Sequence, residues 1–172
     1  MEAEYIPIEF IFTEEERILA AKEGYRRQRV NEEKKLRSRN GGASIGKEAV
    51  ENHLVGAAGE MAVASYLKLK EFLFLDKEAK RGSIDLPPNI DVKTAMRHDY
   101  NLIIQLDDVL TKRYVLVTIE KKTCIIHGWI DGVDAMIPQY EADYKGGRPA
   151  YFVPQSALIP MYLLYNLLKE VV

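Results

Sequence analysis

Apolar and polar positions divide the chain into a helical half followed by a strand-rich half. Between Lys47 and Lys70, Val50, Leu54, Ala57, Met61, Ala64 and Leu67 recur every three or four residues, one apolar stripe that predicts an amphipathic helix packed on a core. Gly56 and Gly59 interrupt that helix at about 1 kcal/mol each relative to alanine, so the close approach of another backbone is expected there. Upstream, Thr13 with Glu16 three residues on is the signature of a capping box, and it opens a long polar helix to about Arg39. Beyond Lys70 strand signals follow: "FLFLD", "GSIDL", "NIDVKTA", "NLIIQL", "RYVLVTIE" and "TCIIHGWI", the last two joined through Lys121-Lys122 as a tight hairpin. After a short segment "DGVDAMI" and a polar loop "YEADYKGGR", "AYFVP" reads as a further strand. "QSALIPMYLLYNLLKEVV" reads as a terminal helix in which Pro160 marks the first turn or a kink.

Glycines in "NGGASIG", residues 40–46, break the first helix and predict a hinge between a helical arm, residues 1–45, and an α/β domain, residues 46–172. "GGASIGKE" has the glycine spacing of a phosphate-binding loop, but Glu48 stands where a magnesium-binding Ser or Thr is needed and a charged helix precedes it instead of a strand, so a nucleotide cradle is not expected.

Composition narrows the picture without naming a partner. The 172 residues are 47% hydrophobic and 29% charged, as in soluble globular proteins, and the net charge of -2 creates no overall attraction to nucleic acid. Local charge differs. Lys22 to Arg39 carries eight Lys or Arg against three acids, which is either a solvated helix face or a phosphate-facing arm with Arg26, Arg27, Arg29, Lys34 and Lys35 as contacts. Cys124, the sole cysteine, excludes an internal disulfide and fits a reducing compartment. With an acidic start unlike a signal peptide and an apolar run "LIPMYLLYNLL" too short to span a bilayer, a cytoplasmic protein without membrane insertion is expected. The C-terminal helix is a candidate contact surface for a homodimer.

The densest chemistry lies in "SIDLPPNIDVKTA", residues 83–95. If the turn centres on Pro88, Asp85 faces Asp91 across a hairpin, and Lys93 shares their side while Ile90, Val92 and Thr94 point away. Opposed carboxylates destabilise a hairpin unless something offsets their repulsion. A solvated edge, a patch for a charged partner, and a hard divalent cation such as Mg²⁺ are the alternatives. His53 and Glu60 lie seven residues apart beside the apolar stripe of the second helix; Glu60 is expected at the rim of the core, and His53 as an ordinary boundary histidine.

Taken together, "GAAGE" on an amphipathic helix, Asp85, then Asp91-x-Lys93 and further strands resemble the PD-(D/E)xK nuclease superfamily over roughly residues 47–130. The resemblance implies a restriction-endonuclease-like αβββαβ core with a mixed sheet. It implies Glu60, Asp85 and Asp91 as catalytic and metal-binding acids, the Val92 carbonyl as a further ligand, and Lys93 as the catalytic lysine. Mg²⁺, with Mn²⁺ as substitute, is the implied cofactor, DNA the implied substrate and phosphodiester hydrolysis the reaction. Two features depart from the pattern: Ile84 replaces the proline of the superfamily's name, and the gap between Asp85 and Asp91 is short. The rivals are a nucleic-acid-binding module of the same fold that does not cleave, and an assembly protein whose helices are contact surfaces.

Overall fold

A computed structural model describes residues 4–34, 46–74, 83–144 and 147–170. It is a mixed α/β structure with two sheets. The chain opens with strand β1 (Ile8–Phe10), helix α1 (Glu14–Glu33) and helix α2 (Lys47–Leu67). Strands β2 (Ile90–Ala95), β3 (Leu102–Gln105), β4 (Arg113–Glu120) and β5 (Thr123–Asp131) follow. The one-turn helix α3 (Gly132–Ala135), strands β6 (Glu141–Tyr144) and β7 (Arg148–Val153), and helix α4 (Met161–Glu170) complete it.

The larger sheet has the order β1-β5-β4-β2, with β2 parallel to β4 and the other pairs antiparallel; the smaller has the order β3-β7-β6. β2 presents two faces to two cores because its side chains alternate. Ile90 and Val92 pack with Met61, Ala62 and Ala64 of α2, together with Val115, Val117 and Trp129. Asp91 and Lys93 stand in register with Tyr114 and Leu116, which belong to the second core with Leu102, Ile104 and Val153 of the smaller sheet. The site strand is therefore clamped from both sides.

Two expectations need correction. The N-terminal segment is not a separate arm: Thr13 caps α1 with a complete capping box, and α1 then lies along α2 with Glu16, Ala20, Glu23, Gly24 and Gln28 buried. Gly24 makes the contact close, since a Cβ there would stand 2.8 Å from the Leu54 Cα. β1, not foreseen, also ties this segment to the sheet by pairing with β5. The described part of the "NGGASIG" hinge is Gly46 alone, and residues 40–45 lie outside the described residues.

Second, the element order departs from a plain αβββαβ run. β3 leaves the main sheet for the second one, and "DDVLTKR" forms turns, so among the described residues no full helix intervenes between the sheet strands after α2. α4 turns its apolar side inward, burying Met161 and Leu164 in the first core, and leaves Tyr162 and Leu167 exposed. No helix among the described residues is long and apolar enough to cross a membrane.

Candidate active site

Four predicted site residues converge where α2, the turn before β2, and β2 itself meet. The isolated bridge between Leu86 and Ile90 sets the hairpin register expected from a turn centred on Pro88, and the Pro87-Pro88 bond is cis. Asp85 is held at this turn: its Oδ2 accepts the Val92 N–H at 2.7 Å, and its own N–H donates to the Ile90 carbonyl at 2.9 Å. Burial, then the charges of Glu60 and Asp91, push the Asp85 carboxyl up to about 8. Three acids are thus close enough to repel one another.

Each neighbour of Asp85 has its own cations. Asp91 Oδ2 accepts from Lys112 Nζ at 2.6 Å, and that buried ammonium also donates to the Ser83 carbonyl. Asp91 Oδ1 lies 3.2 Å from Lys93 Nζ, which is also 3.1 Å from Asp108 Oδ2 and 5.4 Å from the centre of the Tyr114 ring. Burial opposes the charge on Lys93, but the carboxylates of Asp91 and Asp108 outweigh it and raise the ammonium's pKa. Lys93 is therefore a fixed positive charge and a donor, not a proton acceptor at neutral pH.

Glu60 is buried at the core rim, as expected, but its partner comes from α1. Arg27 donates from both terminal nitrogens to the two Glu60 oxygens at 2.6 Å each, and from Nε to Glu23 at 2.9 Å. Arg26 forks onto the same Glu23 at 2.7 Å. Arg26 and Arg27 are thus committed to acids of the fold, which corrects their expected role as phosphate contacts. Arg29, near Glu33 at 4.0 Å, and Lys34 are exposed; Lys35 lies outside the described residues. His53 shares a 2.9 Å hydrogen bond with Asn31 of α1, in keeping with its reading as a boundary histidine.

Known proteins give no guide to this arrangement. The chain matches no family model, no curated protein and no solved structure at a significant level.

A divalent cation can be tested against the side chains present. All candidate donors are hard oxygens, and the raised Asp85 carboxyl marks crowding that a cation would relieve. Among the described residues, however, no three His, Cys, Asp or Glu side chains form a ready-made metal-binding group. The Arg27 fork engages both Glu60 oxygens, whereas Asp85 and Asp91 keep lone pairs beyond the bonds described above. Mg²⁺ is usually held by one or two carboxylates, with waters and substrate phosphate supplying the rest. Asp85, Asp91 and the Val92 carbonyl therefore fit such an ion; Glu60 does not.

Lys112 and Asp108 were not foreseen. Both lie in the turn between β3 and β4, 21 and 15 positions from the residues they bond, and only its density of charges hinted at a role. Away from the site a second polar chain crosses the molecule. The Tyr5 hydroxyl bonds His127 Nδ1 at 2.5 Å, His127 Nε2 bonds the Thr118 hydroxyl at 2.6 Å, and that hydroxyl bonds His98 Nδ1 at 2.7 Å.

Proposed function

We propose that the chain is a metal-dependent nuclease domain of the PD-(D/E)xK type that hydrolyses phosphodiester bonds in DNA. The observation that carries this reading is the meeting of Asp85, Asp91 and Lys93 beside Glu60, with Asp85 raised to about 8 by its burial and by the two other acids. Carboxyls shifted this far in a crowded cluster are characteristic of sites that bind or transfer charge. Of the expected αβββαβ core, α2 packing on the mixed sheet that contains β2 supports the reading, while β3, which joins the second sheet, departs from it.

Asp85, Asp91 and the Val92 carbonyl would hold Mg²⁺, or Mn²⁺ in its place. When bound, the ion supplies an activated water and offsets charge on the phosphate. The chain's own contribution is orientation. The Val92 N–H fixes the Asp85 carboxyl, and Lys112 fixes Asp91 from the side away from Lys93. Lys93, held charged between Asp91 and Asp108, presents an ammonium to the negative charge that develops at phosphorus, where a positioned cation is worth most in a site shielded from water.

A second reading draws on one specific feature: every ionised acid of the cluster already has a cationic partner, so the fold can hold its charges together as a non-cleaving nucleic-acid-binding module. Supercoiled plasmid separates the two. Nicking with Mg²⁺ and none with EDTA supports the nuclease; a salt-sensitive gel shift without cleavage supports the module, and neither result leaves DNA as the wrong partner.

A further inference from the structure

We propose that Arg27 is a resident cation at Glu60, a positioning residue whose fixed charge limits the neighbouring aspartates to one divalent ion instead of two. The one-ion part rests on the nuclease reading; the role of Arg27 does not. Its geometry is that of a dedicated partner. Two parallel N–H···O bonds of 2.6 Å take both oxygens of Glu60, a third bond of 2.9 Å reaches Glu23, and the guanidinium stands 5.5 Å from the centre of the Phe74 ring. Arg26 holds Glu23 from the other side, so the carboxylate that steers Arg27 is itself steered.

Backbone packing makes this placement stiff. The missing side chain at Gly24 lets α1 settle against Leu54 of α2, and Ser65 of α2 donates to Glu16 of α1 at 2.6 Å. Arg27, one turn after Gly24, then projects at Glu60 between those two anchors. A guanidinium stays charged at any working pH, and its planar fork matches a carboxylate in two bonds. A second ion ligated by Glu60 would sit beside that fixed positive charge. Among the described residues no cation is bonded to Asp85, so an ion centres on that carboxyl, with Asp91 beside it.

Manganese titration of the full chain, followed by calorimetry and by loss of the free Mn²⁺ electron paramagnetic resonance signal, reads this directly. The wild type is expected to bind one Mn²⁺, Arg27→Gln to bind one more than the wild type, and Arg27→Lys, which keeps the charge, to return to the wild-type number. Saturating Mn²⁺ should raise the melting temperature of Arg27→Gln by several degrees more than that of the wild type, because Glu60, left without its cation, gains a partner only from the metal. Glu60→Gln should leave the wild-type number unchanged.

A folded Arg27→Gln with the wild-type number of ions and the wild-type melting shift overturns the proposal. So does a Glu60→Gln protein that loses an ion, and this second test stands if Arg27→Gln does not fold. The nuclease reading fails separately: a wild type that binds no Mn²⁺ and leaves plasmid intact sinks it, while an ion gained on replacing Arg27 still supports the resident cation.

Discussion

Gly56 and Gly59 sit one turn apart on α2, yet replacing each by alanine should move stability in opposite directions. Either change gains about 1 kcal/mol from removing a glycine from a helix interior. At Gly56 nothing lies within 4 Å of the added methyl, so that gain stands. At Gly59 the methyl would lie 2.0 Å from the Thr94 hydroxyl oxygen and 3.0 Å from its Cβ and Cγ2, where ordinary contact begins at 3.4 Å. Rotating Thr94 about χ1 can carry the hydroxyl away, but its Cβ stays 3.0 Å from the methyl, so α2 and β2 must still part by a few tenths of an ångström, and overpacking of that kind costs roughly 1–3 kcal/mol. Gly56→Ala should therefore stabilise by up to about 1 kcal/mol, and Gly59→Ala should range from neutral to about 2 kcal/mol destabilising.

Urea unfolding at equal m-values measures both changes, and a third protein isolates the cause. Thr94→Ala removes the hydroxyl and methyl that clash, and that buried hydroxyl has no hydrogen-bond partner among the described residues, so little is lost with it. Added to Gly59→Ala it should restore stability with a coupling of about 1–3 kcal/mol. Glu60 and Lys93 are the immediate neighbours of the clashing pair, so cleavage should fall in Gly59→Ala and recover in the double variant. The reasoning fails if Gly59→Ala stabilises as much as Gly56→Ala, or if the double variant is merely additive.

Lys93→Ala should lose most cleavage while still binding DNA; turnover at the wild-type rate would remove it from the chemistry. Asp108→Asn, which weakens the hold on that ammonium without touching Asp91, should lower kcat by a smaller factor and leave the urea midpoint nearly unchanged, and a loss as large as that of Lys93→Ala would make Asp108 a direct participant. Because the folded pKa of Asp85 is raised, its contribution is full below its unfolded value near 3.8 and is lost as pH rises through about 8, so metal-free Asp85→Asn should overtake the wild type between pH 6 and 9 in thermal melts. Parallel pH curves for the two proteins would contradict the buried carboxyl. His127 is pushed down to about 4 by burial, then by the charge of His98, so the unfolded chain takes up the proton first and stability should drop as pH falls from 6.5 towards 4, by at most roughly 3 kcal/mol. His127→Gln should flatten that fall in urea midpoints at pH 7 and 5, and an equally steep loss would place its cause elsewhere.

What could be read from the chain alone was whatever local pattern decides. The capping box at Thr13, the span of β4, the Lys121-Lys122 turn and the pairing of Leu86 with Ile90 all follow from residues a few positions apart. So does the site quartet, since Asp85, Asp91 and Lys93 share one hairpin and Glu60 one helix face. β1 was missed because it is only three residues long, and β6 because "EADY", with two acids in four positions, carries little β-propensity; they are strands because neighbouring strands offer them a ladder. The expected backbone contact at the glycines is absent: a side chain, Thr94, closes on Gly59, and Gly56 faces open space. The larger miss was Arg27. Its eight-against-three charge neighbourhood reads as a solvated or phosphate-binding surface, and its true partner lies 33 residues away on another helix. Charge composition counts ions but does not say which way they face.

That direction of facing determines how the cluster works. Glu23, Glu60, Asp91 and Asp108 are met by Arg26, Arg27, Lys93 and Lys112, which leaves Asp85 as the acid whose ionisation is not matched by a bonded side-chain cation within this group. A proton on Asp85 balances the group, and so does a divalent ion. The two must compete, because the same buried carboxyl serves both. Below about pH 8 metal binding therefore has to displace a proton, and affinity should climb with pH until Asp85 is ionised. A charge-balanced scaffold with one acid left over differs from a solvated hairpin in just this respect: a hairpin edge in water has no reason to hold a proton at neutral pH, whereas a carboxyl walled in by Glu60 and Asp91 holds one until something more strongly positive replaces it.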